Sequence, residues 1–314
     1  MNTHSRIDTH HHFIPPFYRK ILDEFGLLAS GWPIPAWDPQ ATIDFMGKTS
    51  IATSILSLSS PSVCLLKEIN PCNLARQVNE YAAELVNNHP NHFGQFACLP
   101  LCDIDGAITE AIYALDELHV DGVILFSNMR GTYLGDACFD SLWAELNARS
   151  AVVFIHPIDP PIEMLKGLPS PLIDFPFDTT RTALHMVANG VMRRYDKIKV
   201  ILSHGGGFLP YAAYRAAAGI AFLNLDLTID SVIADMKRFY FDTALSSSSW
   251  SLPSLLAFAD PTHITFGSDF PFAPFPAIQA FNDCLDKYSL SVEQRNAINR
   301  GNAEMLFPRF SSTA

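Results

Sequence analysis

The chain is poor in charge. Asp, Glu, Lys and Arg make up 17% of its 314 residues, against 48% hydrophobic residues. That balance excludes an intrinsically disordered chain, which needs high charge and few apolar groups. Basic residues are the scarcer sign: 21 against 32 acidic, for a formal net charge of −11. No run of Lys and Arg offers a face for nucleic-acid phosphates or an anionic membrane, so neither partner is expected. No apolar stretch approaches the ~18 residues of a spanning helix. The segment MNTHSRIDTHHHFIPP lacks the apolar core of a signal peptide, and the terminal SSTA matches no address signal; cytosolic residence is expected. The six cysteines, Cys64, Cys72, Cys98, Cys102, Cys138 and Cys284, include no CxxC pair and read as reduced thiols. No GxGxxG follows a first strand, which argues against a doubly wound dinucleotide-binding sheet.

What is present is alternation. Strand candidates fall at 6–9, 51–58, 92–97, 122–126, 151–155, 198–202, 239–241 and 263–266; those at 51–58, 122–126, 151–155 and 198–202 are apolar and β-branched, and 92–97 is weaker. Unbroken apolar runs of this length suit strands buried on both faces of a parallel sheet. Helical patterns separate them. One opens at Asp38-Pro39, an N-cap followed by proline in the first turn. Others run over 73–88, 105–118, 139–149, 179–195, 252–260, 276–288 and 291–299. Eight strands with intervening helices predict an α/β fold, a (β/α)8 TIM barrel forming a single domain over 1–314. Two inserts, 24–37 and 158–177, follow predicted strand ends and are rich in proline and aromatics. Loops at such positions build barrel active sites, and the second also suits a contact with another copy of the chain.

Histidines gather at the same strand ends. His10 and His12 follow the first strand and share a face of an extended chain, with His11 on the other. His156 follows the fifth strand in VVFIHP, His204 the sixth in VILSHGGG, and Asp269 the eighth in ITFGSDFPF. Singly, each has an ordinary structural explanation. Jointly they converge on the C-terminal mouth of a barrel, where three imidazoles and a carboxylate can hold one divalent ion. His204 is left over as an acid/base group beside that ion.

The motifs IDTHHHFIPP, FIHP, LSHGGG and FGSDFPF, with WDPQATIDFM and FDTTRTALHMVANGVM, resemble the amidohydrolase superfamily, in its aminocarboxymuconate-semialdehyde decarboxylase family, along nearly the whole chain. The resemblance implies a metal-dependent barrel. It assigns His10, His12, His156 and Asp269 as metal ligands and His204 as the active-site histidine. ILFSNMRG after the fourth strand has no lysine to be carbamylated, so a single metal is expected. The arginine that aminocarboxymuconate enzymes carry just before WDP is absent from GWPIPAWDP. The glutamate of resorcylate-type enzymes is absent after His204, and the opening is His-x-His rather than Glu-x-His. The match that remains is to fungal 6-methylsalicylate decarboxylases.

That subgroup implies non-oxidative loss of carbon dioxide from a small aromatic 2-hydroxy acid, foremost 6-methylsalicylate, to give m-cresol. Zn2+ suits the donor set best, with Mn2+ or iron as alternatives. Asp269 is the favoured proton donor and His204 the other candidate. Trp32, Trp37 and Phe272 are candidate contacts for the ring, and Arg181 or Arg130 for its carboxylate. The competing reading is hydrolysis of a lactone or amide by metal-bound hydroxide. Relatives imply a homodimer.

Overall fold

The computed structural model describes residues 6–311. The terminal residues beyond them, including most of SSTA and the start of the N-terminal segment, lie outside the described residues. Eight strands form one parallel sheet in chain order: β1 (Arg6–His12), β2 (Ile51–Ser57), β3 (Phe93–Cys98), β4 (Gly122–Phe126), β5 (Val152–His156), β6 (Lys199–Leu202), β7 (Tyr240–Asp242) and β8 (Ile264–Thr265). The sheet closes on itself just past β8. Thr9 N–H donates to the Phe266 carbonyl at 2.9 Å and His12 N–H to that of Phe270 at 2.7 Å. The expected TIM barrel is therefore the observed one. β4 (GVILF) and β5 (VVFIH) are buried along their whole length, as strands covered by helices outside and side chains inside must be.

Most helices also lie where the pattern puts them. Asp38 caps the helix Pro39–Thr49 by accepting from Ala41 N–H at 2.8 Å. The helix expected over 179–195 starts earlier, as Asp174–Ala188, and breaks before a short turn, Val191–Arg194. The break is Gly190, whose φ of 73° ends a helix at little cost because no Cβ clashes. The helices Leu209–Leu223 and Ile229–Lys237, between β6 and β7, were not foreseen in the pattern.

The cysteine expectation is corrected. Cys64 and Cys102 form a disulfide across a sequence separation of 38 residues. Cys64 follows β2 and Cys102 follows β3, and these neighbouring strands deliver their loops side by side at the same rim. Nothing in the linear spacing signals that. Cys72, Cys98, Cys138 and Cys284 are free thiols. Among the described residues no helix is long and apolar enough to cross a membrane.

Candidate active site

β1 runs three residues further than the strand candidate 6–9, so His10, His11 and His12 are its last residues rather than the start of a loop. His10 and His12 point into the barrel. His11 faces outward, its Nδ1 3.0 Å from Asp8 Oδ2. Phe154 of β5 packs edge-on beneath His10 at 5.0 Å between ring centroids and closes the floor with an apolar face. His156 ends β5. Asp269 lies in the turn after β8 and is pinned to β1: its N–H donates to the His10 carbonyl at 2.9 Å, and Ser268 N–H donates to Asp8 Oδ1 at 3.0 Å.

One donor atom each from His10, His12, His156 and Asp269 lies within 4.8 Å of the others, and all four residues are buried. His10 Nε2 is 3.1 Å from His12 Nε2, and both are 3.3 Å from Asp269 Oδ1. The opposite ring nitrogens are already committed. His10 Nδ1 donates to Asp242 Oδ2 at 2.7 Å, His156 Nδ1 to the Pro157 carbonyl at 2.8 Å, and His12 Nδ1 faces Ser57 Oγ at 3.0 Å. Each Nε2 is thus turned toward the centre, the orientation a metal requires. Three imidazoles and a carboxylate so oriented fit a divalent ion with room for an exogenous ligand. A metal site is present.

The titration of the cluster says the same. Burial opposes a charge on His10, but Asp242 and Asp269 outweigh it and lift its pKa to about 10. Burial, with the charge on His10, pushes His12 down to about 4. Burial and the surrounding histidines hold His156 well below its ordinary value. Burial alone would raise Asp269; the hydrogen bonds and charges of its histidine neighbours hold it well below the usual carboxylate range instead. Without metal, the site keeps one proton where a cation belongs. At pH 7 the binding of an ion would require His10 to give up that proton, the other donors being already deprotonated. A pH-stat titration of metal-free protein is therefore expected to record release of about one proton per ion bound. Apparent affinity should weaken as pH falls from about 10, and more steeply below about 4, where His12 also protonates. Proton-neutral binding at pH 7 would remove His10 from the ligand set.

His204 completes the group. Its Nε2 is 3.6 Å from Asp269 Oδ2, the carboxylate oxygen turned away from the two β1 imidazoles. Its Nδ1 is buried without a protein partner. His204 sits at φ 53°, and the three following glycines hold φ from 64° to 74°. At Gly207 even a Cβ would lie 2.1 Å from the Pro176 carbonyl oxygen, so the turn presses directly on the second insert.

Asp242, at the end of β7 in YFDT, escaped the sequence reading. Besides holding His10, its Oδ1 accepts from His204 N–H and Ala244 N–H, both at 2.9 Å. The available signal was its position, a carboxylate at a barrel strand end. Asp242→Asn is expected to lower metal affinity by roughly 10- to 100-fold, measured by competition with a chromogenic chelator. Unchanged affinity would reduce Asp242 to a structural hydrogen-bond acceptor.

A cavity of about 440 Å³ opens above the cluster, lined by His156, His204, Asp269, Trp32, Phe175 and Phe272 among others. Two further candidates lie elsewhere. Trp37 does not line the cavity; its indole N–H donates to Thr42 Oγ1 at 2.9 Å and its ring packs against Phe13. Arg181 is turned onto the rings of Tyr133 and Phe177, 4.9 and 5.3 Å from their centroids, and is likewise absent from the lining, as is the exposed Arg130. Ser59 and Ser60, which the sequence reading passed over, do line it, and the Ser60 hydroxyl is buried without a partner.

A closed parallel barrel with this donor set at the C-terminal ends of its strands defines a metal-dependent barrel enzyme. The chain belongs to the amidohydrolase family, whose profile matches residues 7–309. It is 40% identical to the 6-methylsalicylic acid decarboxylase of Penicillium expansum, over 97% of each chain. The crystal structure of an amidohydrolase II superposes with a TM-score of 0.89 at 33% identity, covering 96% of this chain and 99% of the other. A dihydroxybenzoic acid decarboxylase from Polaromonas sp., solved with bound manganese and the inhibitor 2-nitroresorcinol, shares the fold at a TM-score of 0.81 and 23% identity over 99% of both chains.

Proposed function

We propose that the chain is a metal-dependent carboxy-lyase that converts 6-methylsalicylate to m-cresol and carbon dioxide. The observation that carries this reading is the pairing of the metal cluster with an apolar cavity whose lining, among the described residues, contains no Lys or Arg. A benzoate entering it meets no fixed basic side chain. The ion held by His10, His12, His156 and Asp269 would supply the Lewis-acid charge for the carboxylate and the ortho oxygen and so orient the ring. The chain's own groups do the rest. Trp32, Phe175 and Phe272 flank the ring and keep water away. The orphan Ser60 hydroxyl is a hydrogen-bond partner for a ring oxygen.

The chemical step needs a proton on the ring carbon that bears the carboxyl group. Protonation there removes aromaticity; loss of carbon dioxide leaves its bonding pair on the ring and restores it. Asp269 rests ionised, so its Oδ2, facing His204 Nε2 at 3.6 Å, carries the proton only in passage from His204 to the ring carbon. Supporting this is the resemblance to the Penicillium expansum enzyme at 40% identity. Zinc is assigned on the donor set; manganese, as in the Polaromonas enzyme, is the alternative that metal analysis of purified protein decides.

Incubation with 6-methylsalicylate should yield m-cresol and carbon dioxide in equal amounts. Hydrolysis of lactones or amides without carbon dioxide release would overturn the reading. A homodimer is proposed on the exposed apolar side chains Tyr211, Tyr214, Phe222 and Leu223 of the helix Leu209–Leu223, to be checked by light scattering. Cytosolic residence is proposed on the four free thiols, with the Cys64–Cys102 disulfide as the observation against it; recovery in a secreted fraction would reverse it.

A further inference from the structure

The cavity is larger than the ring it is proposed to hold. It measures about 440 Å³, whereas an apolar cavity of about 150 Å³ already admits benzene. The surplus has a direction. His156, His204 and Asp269 form its deep end and are all buried. Away from them the wall continues as Trp32, Pro171, Leu172, Pro274, Ala277 and Phe281. Leu172 is 57% exposed although it lines the cavity, and Pro274 is exposed too, so the apolar wall runs out to solvent. Among the described residues Asp269 is the only carboxylate in the lining. A small, fully polar acid has no use for such a mouth. An apolar substituent on the ring does, because it leaves water along this wall while the carboxylate and hydroxyl stay at the deep end.

We propose that the substrate class extends beyond 6-methylsalicylate to 6-alkylsalicylates with longer chains, the chain lying along the Leu172, Pro274, Ala277 and Phe281 wall. This rests on the decarboxylase reading and extends it. The bond changes are those already given: the ring–carboxyl bond breaks, carbon dioxide leaves, the ring carbon gains one proton, and the product is a 3-alkylphenol. The first chain carbon sits on C6 beside the reacting carbon in every member, the methyl compound included, and only the added outer carbons differ; their burial acts on substrate and transition state alike and falls on KM with kcat unchanged.

The test is the steady-state kinetics of the metal-loaded enzyme with 6-methyl-, 6-propyl- and 6-pentylsalicylate. Each methylene buried should raise kcat/KM about fourfold, hence roughly an order of magnitude from methyl to propyl. Ala277→Phe, which fills the wall, should cut the pentyl-to-methyl ratio of kcat/KM by about tenfold or more. Turnover of the methyl compound with a flat or falling series overturns the proposal and leaves the decarboxylase reading standing. An unchanged ratio in Ala277→Phe also overturns it. Failure to decarboxylate any member overturns both.

Discussion

Replacing His12 with alanine is expected to remove bound metal and turnover together. His12 contributes one of four donors, and its Nε2 lies 3.1 Å from that of His10 and 3.3 Å from Asp269 Oδ1. Its ring is fully buried, so water cannot simply take its place with the same orientation. Lewis-acid stabilisation is worth several kcal/mol, which at about 1.4 kcal/mol per decade makes the loss roughly a thousandfold or more. Plasma-emission metal analysis and carbon dioxide release on the same sample make the check. The fold itself should persist, because burial keeps the His12 ring uncharged, at a pKa of about 4, and its removal strands no buried charge. A variant that keeps stoichiometric metal would strike His12 from the ligand set.

His204→Ala should part the two readouts that His12→Ala moves together. His204 is not among the four converging donors, so metal content should stay at the wild-type level. Its Nε2 faces Asp269 Oδ2, and its Nδ1 has no partner in the protein. Both features suit a group that passes a proton rather than one that props up the barrel. Loss of a positioned acid/base group lowers kcat by about 10²- to 10⁴-fold. Full metal with near-normal kcat would remove His204 from the reaction; loss of metal would make it a ligand or a support for one.

Much of this arrangement was legible because barrel strands and their ends carry strong signals. The apolar run 122–126 is β4, Gly122–Phe126, since a strand buried on both faces has no polar residue to blur its limits. The metal donors His156 and Asp269 were readable because each stands at the end of such a strand candidate, and His10 and His12 because their His-x-His spacing puts both on one face of an extended chain. What failed to show had no one-dimensional signature. The helix Leu209–Leu223 keeps Tyr211, Tyr214, Phe222 and Leu223 exposed while alanines face the core, which inverts the usual amphipathic pattern. Asp242 looked like any aspartate until the strand order brought it against His10. The Cys64–Cys102 bond depends on two loops being neighbours in space. Arg181 and Trp37 were plausible by proximity in sequence to the inserts, but side-chain direction settles such contacts, and it turns both away from the cavity.

The two residues closest to the proposed proton path, His204 and Asp269, both hold left-handed backbone, at φ 53° and 63°. Each such residue costs about 1–2 kcal/mol relative to an ordinary conformation, a tax the rest of the barrel must carry. Glycine at either place would relieve the tension and tighten the fold while erasing the chemistry. A library of this chain sorted only for heat resistance should therefore drift toward sturdier, inert barrels, with these two positions among the first to be forfeited.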